Sequence, residues 1–187
     1  MTEQKKKRTV IGFYGPAGSG KSTAADILVA SYAFRLVSFS APIKEAMKAI
    51  GLTEEEINGS KKEHPTEKLL WRSPRYAMQT FGTEWGRNLI HPDIWIELWR
   101  RKVSSLPDNI PVVCDDVRFP NEADAIHSLG GVIVRISRPT VTFQSNHPSE
   151  EGKIIPDFVV ENNTTEWQLA KSVTEIAVSM LVNLQEV

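Results

Sequence analysis

The run GPAGSGKS, from Gly15 to Ser22, constrains the fold of this chain more than any other part of its sequence. It fits the pattern G-x-x-x-x-G-K-S/T at every fixed position. The apolar run TVIGFYG leads into it, and the helix-like run KSTAADILVASYA begins inside it. A glycine-rich turn between a strand and a helix is the setting in which this pattern binds phosphate. It therefore predicts a phosphate-binding loop (P-loop) rather than an ordinary turn with an exposed lysine.

The residue types in the P-loop suit a nucleoside triphosphate. Glycines allow the backbone to turn its N–H groups inward onto phosphate oxygens. Lys21 is expected to reach the β- and γ-phosphates, and the Ser22 hydroxyl to bind Mg²⁺. The predicted nucleotide contacts are Gly15, Ala17, Gly18, Ser19, Gly20, Lys21, Ser22 and Thr23.

Five apolar runs alternate with helix-like segments, which predicts a parallel sheet with helices on both faces. The expected strands are Thr9–Gly15, Arg35–Phe39, Pro111–Val117, Val132–Ser137 and Asp157–Asn162. The expected helices beyond the P-loop helix are Ala41–Ile50, Pro74–Ile90, Pro92–Ser104, Asn121–Leu129 and Thr165–Leu184. The fold class is therefore α/β, with three layers.

The length and composition are typical of one domain, 1–187, because 187 residues with 41% hydrophobic content suffice for a substantial core. Two polar segments interrupt the pattern of strands and helices. We expect a mobile excursion near 53–75 and a lid-like loop near 139–156.

Two adjacent carboxylates end the third strand, where ligands collect at the carboxyl edge of a parallel sheet. Asp115 and Asp116 are both candidates for the Mg²⁺ site, but neighbouring strand residues point to opposite faces. One therefore serves the metal and the other is structural. We favour Asp116, since it directly precedes Val117, Arg118 and the following turn. Cys114 is expected to be a small buried apolar residue.

The segment QTFGTEWGR places two glycines inside an expected helix, at a cost of about 1 kcal/mol each relative to alanine. Plotted at 100° per residue, polar or bare positions share one face: Arg75, Gln79, Gly82, Thr83 and Gly86. Apolar positions lie opposite and are expected to pack in the core: Met78, Phe81, Trp85 and Leu89. The bare face either packs closely against another helix or binds a polar ligand.

Several segments occur here in the order in which they occur in bacteriophage-type deoxynucleoside monophosphate kinases. They are GPAGSGKST, FSAPIKEAM, RYAMQTFGTEWGR, CDDVRFPNEADAI and NHPSE. The chain resembles this family, within the P-loop nucleotide kinase superfamily, over nearly its whole length. The resemblance implies transfer of phosphate from Mg²⁺-bound ATP to a deoxynucleoside monophosphate. It implies that the acceptor binds at Lys44, Arg75, Gln79, Gly82, Thr83, Arg87 and Glu150.

Transfer of a phosphoryl group between two anions needs positioning and cations rather than a general base. The catalytic candidates are Lys21, Arg118 and Asp116. Arg118 is either a phosphate clamp or a salt-bridge partner of Asp115 or Glu122. Arg138 is expected to clamp phosphates or cover adenine, and the resemblance places Asn162 and Asn163 beside adenine.

Charge and hydropathy exclude some partners. A net charge of −1 does not indicate nucleic acid, and no apolar run approaches the roughly 20 residues that span a membrane. The single cysteine favours a reducing, cytoplasmic setting, which is the host cytoplasm if the chain is phage-encoded. The sequence leaves the oligomeric state open, with a homodimer as the commonest form.

Two other functions remain open. One is a kinase with another phosphorylated acceptor, of the phosphomevalonate or dephospho-coenzyme A type, since such chains share some of these landmarks. The other is a P-loop regulator that binds nucleotide without transferring phosphate to a small molecule.

Overall fold

A single sheet of five parallel strands is the central feature of the fold. The structure is a computed structural model that describes residues 8–141, 154–163 and 165–182. The strand order is β2-β3-β1-β4-β5. The strands are β1 (Val10–Tyr14), β2 (Arg35–Leu36), β3 (Val112–Val117), β4 (Val132–Ser137) and β5 (Phe158–Glu161). All four strand pairings are parallel. The predicted five-stranded parallel α/β fold is confirmed.

Helices cover both faces of this sheet, which gives the three expected layers. On one face, helices α1 (Lys21–Tyr32) and α7 (Glu166–Val182) bury Leu28 and Val173 against Ile11 and Phe13 of β1. On the other face lies α6 (Pro120–Ser128). A Cβ at Gly12 would overlap the Ile126 side chain, so α6 and β1 approach closely there. Every residue of β1 is buried, because both faces of this central strand are covered.

The chain separates into two compact units. The first comprises the described parts of Met1–Ser38 and Trp99–Val187, and it contains the sheet. The second, Phe39–Leu98, is larger than the excursion expected near 53–75. It holds α2 (Ala41–Ala49), α3 (Glu54–Ile57), short 3-10 turns at Ser60–Glu63 and Glu67–Leu69, α4 (Pro74–Thr80) and a π-helix at Phe81–Ile90. Helix α5 (Ile94–Ser104) crosses the boundary.

The expected helix Pro74–Ile90 changes its hydrogen-bond register after Thr80. It begins as predicted, with the Ser73 hydroxyl accepting from the Tyr76 N–H at 3.2 Å. From Phe81 onward it is a π-helix, in which N–H groups bond to the carbonyl five residues earlier. The His91 N–H, for example, donates to the Gly86 carbonyl at 3.0 Å. The projection at 100° per residue therefore holds only as far as Thr80.

Helix α7 begins close to its predicted start. The Thr165 hydroxyl accepts from the Gln168 N–H at 3.3 Å, as an N-cap residue does. Within the described residues, neither α7 nor any other helix is both long and apolar enough to cross a membrane.

Candidate active site

The P-loop lies between β1 and α1, as the sequence predicts. Its backbone adopts the left-handed region at Gly15 (φ 146°) and Gly20 (φ 107°), which side chains rarely allow. A Cβ at Gly15 would also overlap the Ile136 carbonyl oxygen of β4. The ammonium of Lys21 donates to the carbonyls of Gly15 and Pro16 at 2.8 and 2.7 Å. A cation is thus held directly over the loop.

Asp115 joins the end of β3 to the start of α1. Its Oδ2 accepts from the Ser22 hydroxyl at 3.1 Å, and its Oδ1 accepts from the Ser38 hydroxyl at 2.7 Å. Contact with the P-loop serine is the relation expected of the carboxylate that serves the metal. The geometry therefore favours Asp115 over Asp116 for this role, and the metal assignment stays a prediction.

Asp116 has a different environment from Asp115. Its Oδ1 accepts from the Cys114 thiol at 3.2 Å. Cys114 is fully buried, as predicted. Burial raises the pKa of this thiol well above its usual value, and the nearby Asp116 charge adds to the effect. Cys114 therefore stays protonated at neutral pH and remains a donor to Asp116.

A cavity of about 480 Å³ opens beside the P-loop. Its lining combines loop backbone with polar and charged side chains from the surrounding helices and loops. The lining residues are Gly18, Gly20, Lys21, Ser22, Thr23, Arg138, Asn162, Glu166 and Leu169. Arg138 also donates to the Gly18 carbonyl at 3.4 Å. This one cavity is thus lined by five of the predicted nucleotide contacts in the P-loop and by Arg138.

Of the two asparagines that the resemblance places beside adenine, Asn162 reaches the P-loop. Its Nδ2 donates to the Ser19 carbonyl at 2.8 Å. A side chain at Gly20 would overlap Asn162, so this position must be a glycine for the contact to form. Asn163 is exposed and does not line the cavity.

Arg118 follows β3 in the turn that leads to α6. Its backbone N–H and that of Phe119 donate to the Glu122 Oε2 at 2.7 and 3.1 Å. Glu122 is only 3% exposed and caps α6. This arrangement fixes the Arg118 backbone at the carboxyl edge of the sheet. Its role as a phosphate clamp stays a prediction.

Gly82 and Gly86, the two glycines of the QTFGTEWGR segment, face protein side chains. The Trp95 ring lies against Gly86, where an added Cβ would overlap it. A Cβ at Gly82 would lie 3.0 Å from the Ile43 Cδ1, and the Gly82 carbonyl accepts from the Trp95 indole N–H at 2.7 Å. Ile43 and Trp95 thus occupy the space beside these glycines, and acceptor binding at Gly82 stays a prediction. Close packing is the better explanation of both glycines.

Trp85 packs against the aromatic rings beside it but is 43% exposed, and Leu89 is 76% exposed, so the expectation that these two residues lie in the core is wrong. Its ring stacks on Phe81 with a centroid distance of 4.5 Å and an interplanar angle of 5°. It also lies 6.3 Å from the Trp95 ring, at an angle of 43°.

The charged acceptor candidates of the second unit are placed on three helices. Arg75 lies at the start of α4, and its Nε is 2.8 Å from the Glu63 Oε1. Arg87 lies in the π-helix and donates to the Pro92 carbonyl at 3.0 Å. Lys44 is half-buried in the first turn of α2. Gln79 in α4 and Thr83 in the π-helix are also half-buried.

Glu150 of the predicted lid-like loop lies in the segment 142–153, which is outside the described residues. Its acceptor role and the lid itself stay predictions.

Comparison with known proteins identifies the family. The model of the deoxynucleotide monophosphate kinase family matches residues 54–173. A protein of Acanthamoeba polyphaga mimivirus, provisionally named a deoxynucleotide monophosphate kinase, is 37% identical over 172 residues, which cover 83% of this chain and 89% of the relative. The chain belongs to the deoxynucleotide monophosphate kinase family. A deoxynucleoside-5'-monophosphate kinase of Escherichia phage T5 is 33% identical over 90 residues, 44% of this chain and 36% of that protein.

Solved structures show that this deoxynucleotide monophosphate kinase has a fold found in other proteins. The Thermus thermophilus protein TT1252 superposes with a TM-score of 0.54 at 19% identity, covering 93% of this chain and 98% of that chain. A shikimate kinase from Acinetobacter baumannii, in complex with shikimate, gives a TM-score of 0.50 at 12% identity, covering 94% and 95%. At these identities the likeness supports the α/β fold alone.

Sequence analysis of the kinase missed three residues at or beside this site: Ser38, Glu166 and Leu169. A signal existed for one of them. Ser38 lies near the carboxyl end of the second expected strand, which ends at the same edge of the sheet as the P-loop. Glu166 and Leu169 lie in the first turns of α7 and carry no pattern that distinguishes them from ordinary helix residues.

Proposed function

We propose that this deoxynucleotide monophosphate kinase transfers the γ-phosphoryl group of Mg²⁺-bound ATP to a deoxynucleoside monophosphate. The products are ADP and a deoxynucleoside diphosphate. The observation that carries the proposal is the contact of Ser22 with Asp115, next to the Lys21 ammonium over the loop. A hydroxyl, a carboxylate and an ammonium at one helix start are the groups that P-loop phosphoryl transfer uses.

The side chains at this point fit a Mg²⁺ ion. Mg²⁺ in kinases binds one or two protein oxygens together with phosphate and water oxygens. Ser22 and Asp115 would supply a hydroxyl and a carboxylate, which are hard oxygen donors in mutual contact. When bound, the ion offsets the negative charge on the β- and γ-phosphates.

The loop itself is suited to an anion. The buried Ser19 hydroxyl has no hydrogen-bond partner among the described residues, and a buried unpaired hydroxyl costs about 1–3 kcal/mol. A phosphate oxygen would supply a partner. Phosphate would also replace the two neutral carbonyls at the Lys21 ammonium with a charged acceptor.

The reaction needs no general base, because a monophosphate is already a nucleophile at neutral pH. The protein then has to align the two phosphates and neutralise the negative charge of the transferring phosphoryl group. We assign neutralisation to Lys21 and Arg118, with Arg138 on the phosphates or the adenine beside the cavity. Of the pair Asn162 and Asn163, we assign Asn162 to ordering the P-loop on the adenine side, because it bonds to the Ser19 carbonyl.

We assign the acceptor to the second unit. The candidates are Lys44, Arg75, Gln79, Thr83 and Arg87, together with Glu150. The Arg75–Glu63 ion pair is 63% exposed on the Glu63 side, and such a pair contributes only about 0.2–1 kcal/mol. An acceptor phosphate could therefore displace Glu63 from Arg75 at little cost.

Three wider assignments accompany this proposal. The chain acts as a single kinase domain, to which the lid-like loop near 139–156 belongs. The enzyme works in the cytoplasm of a host cell, which the viral origin of both named relatives supports. A homodimer is the candidate assembly because two-fold dimers are the commonest soluble oligomers.

The test is ADP release from Mg²⁺-ATP across a panel of acceptors: deoxynucleoside and ribonucleoside monophosphates, phosphomevalonate and dephospho-coenzyme A. We expect release to depend on a deoxynucleoside monophosphate and to be lost in Lys21→Ala. Release that is indifferent to every monophosphate would indicate a nucleotide-binding regulator instead. Release that depends on phosphomevalonate or dephospho-coenzyme A would indicate the other kinase class.

A further inference from the structure

We propose that Ser38 is a positioning residue for the metal site, because it holds the Asp115 carboxylate in the orientation that the Mg²⁺ shell requires. The inference rests on the proposed function. Ser38 lies one residue before the FSAPIKEAM segment that carries the family resemblance, and no contact of Ser38 with a nucleotide is required.

The two oxygens of Asp115 are taken by different hydroxyls. Ser38, just after β2, donates to Oδ1 at 2.7 Å. Ser22, in the first turn of α1, donates to Oδ2 at 3.1 Å. The bond from Ser38 therefore opposes rotation of the carboxylate about its Cβ–Cγ bond. Oδ2 is kept on the P-loop side, and a carboxylate oxygen can accept more than one bond. It thus remains able to accept from a metal-bound water or to bind the metal.

Ser38 can act in this way because hydrogen bonds at both the N–H and the carbonyl of the preceding residue, Val37, hold its backbone in place. The Val37 N–H donates to the Val113 carbonyl of β3 at 2.9 Å. The Val37 carbonyl accepts from the Trp99 indole N–H at 2.9 Å. Both Val37 and Trp99 are at least 95% buried. Two buried hydrogen bonds thus set the position from which the Ser38 side chain extends.

A chain of contacts connects the core to the metal site. It runs from Trp99 through Val37 and Ser38 to Asp115, and then to Ser22. Partners of this kind orient the groups that bind a metal, and their loss typically lowers metal affinity or activity by about 10–100-fold. A purely structural hydroxyl would instead change stability without changing the response to Mg²⁺.

The experiment measures binding rather than turnover. The affinity of the full-length protein for a fluorescent ADP analogue is determined with Mg²⁺ and with EDTA, for wild type, Ser38→Ala and Ser38→Thr. The control is Ser128→Ala, which also removes a hydroxyl hydrogen bond of 2.7 Å, between Ser128 and the Ala125 carbonyl in α6. Thermal unfolding of every variant shows that it is folded.

Mg²⁺ is expected to increase the affinity of wild type for the ADP analogue, and we expect this increase to be about tenfold or more smaller in Ser38→Ala. The affinity measured in EDTA should be unchanged. Ser38→Thr, which keeps the hydroxyl, should retain most of the Mg²⁺ effect, and Ser128→Ala should retain all of it. If Ser38→Ala does not fold, Ser38→Cys replaces it, because a thiol is a weak donor and should give a partial loss.

Two outcomes would overturn the inference. One is a Mg²⁺ response in Ser38→Ala equal to that of wild type, and the other is an equal loss with Mg²⁺ and with EDTA. Both can occur in an active kinase, so they differ from failure of the proposed function. That failure would appear as wild-type ADP release without dependence on a monophosphate.

Discussion

The indole N–H of Trp95 donates a 2.7 Å hydrogen bond to the carbonyl oxygen of Gly82, at the start of the π-helix. In an α-helix this carbonyl would bond to an N–H four residues later. Trp95 is 4% exposed, and its ring fills the space beside Gly86. The two glycines thus make room for a tryptophan within the same unit.

This packing predicts that Gly86→Ala destabilises the protein. The added methyl group would overlap the Trp95 ring, and overpacking a core costs about 1–3 kcal/mol. The gain in helix propensity returns up to about 1 kcal/mol, so we expect a net loss of about 1–2 kcal/mol in urea unfolding. Gly82→Ala is the comparison, and its loss should be smaller because the nearest atom is the mobile end of Ile43. A more stable Gly86→Ala would contradict the packing account.

The metal site predicts different effects for the two adjacent aspartates. Asp115→Asn should lower kcat/KM by about 100-fold or more, since each tenfold corresponds to about 1.4 kcal/mol of transition-state stabilisation and a bound metal supplies several kcal/mol. Asp116→Asn should lower it by less than about tenfold, because Asp116 contacts the Cys114 thiol. Steady-state kinetics at saturating Mg²⁺ measure both. The reverse ranking would restore Asp116 as the metal carboxylate.

The contact of Asn162 with the P-loop predicts that its loss changes the KM for ATP and not the KM for the acceptor. Asn162→Ala removes the bond to the Ser19 carbonyl, and one such bond contributes about 1 kcal/mol, or roughly fivefold in affinity. We expect the KM for ATP to rise by about this factor, with the acceptor KM unchanged. Asn163→Ala is the matched control and should resemble wild type. Equal effects of the two substitutions would show that Asn162 has no special role.

The assignment of Arg75 to the acceptor site predicts a change in the KM for the deoxynucleoside monophosphate. Arg75→Ala should raise the KM for the deoxynucleoside monophosphate by about tenfold, the scale of one lost charged contact, while ATP affinity stays constant. Glu63→Ala is the control, because it removes the ion-pair partner but keeps the Arg75 guanidinium. It should leave the acceptor KM unchanged or lower it. Unchanged acceptor kinetics in Arg75→Ala would remove this residue from the site.

A buried carboxylate in the second unit predicts how stability depends on pH. Glu56 accepts from Lys68, from the Thr53 N–H and hydroxyl, and from Thr66. These bonds, that from Lys68 above all, lower the pKa of Glu56 to about 2. The folded-state pKa lies below the unfolded value of about 4.3. The stabilisation is therefore complete above the unfolded pKa and is lost as pH falls through the folded value.

The measurement compares wild type with Glu56→Gln by urea unfolding at several pH values. The gap between their unfolding midpoints should be constant above about pH 5 and should narrow from about pH 4.5 downward. A gap that is the same at pH 7 and at pH 3 would show that the Glu56 charge does not contribute.

Most of the fold could be predicted because local sequence decides it. The strand β4 has the predicted bounds, since its apolar run ends at clear turn residues. The P-loop could be predicted because its function fixes both residue types and spacing. The π-helix could not, since the partner of the Gly82 carbonyl is Trp95, a contact that periodicity does not reveal.

The finer details of the site depend on where strand ends meet in space. Asp115 and Asp116 look alike in sequence, and only the position of Ser22 and Ser38 distinguishes them. The same is true of Asn162 and Asn163, of which one reaches the Ser19 carbonyl. Adjacent residues of one type point in different directions, so sequence could supply the pair but not the choice.

The most direct test of the account follows the phosphoryl group itself. ATP labelled on its γ-phosphate is mixed with the enzyme, Mg²⁺ and the deoxynucleoside monophosphate that gives the fastest ADP release, and the labelled products are separated. We predict label in the deoxynucleoside diphosphate, equal in amount to the ADP formed, and no transfer by Lys21→Ala. Label found only in inorganic phosphate would contradict the account.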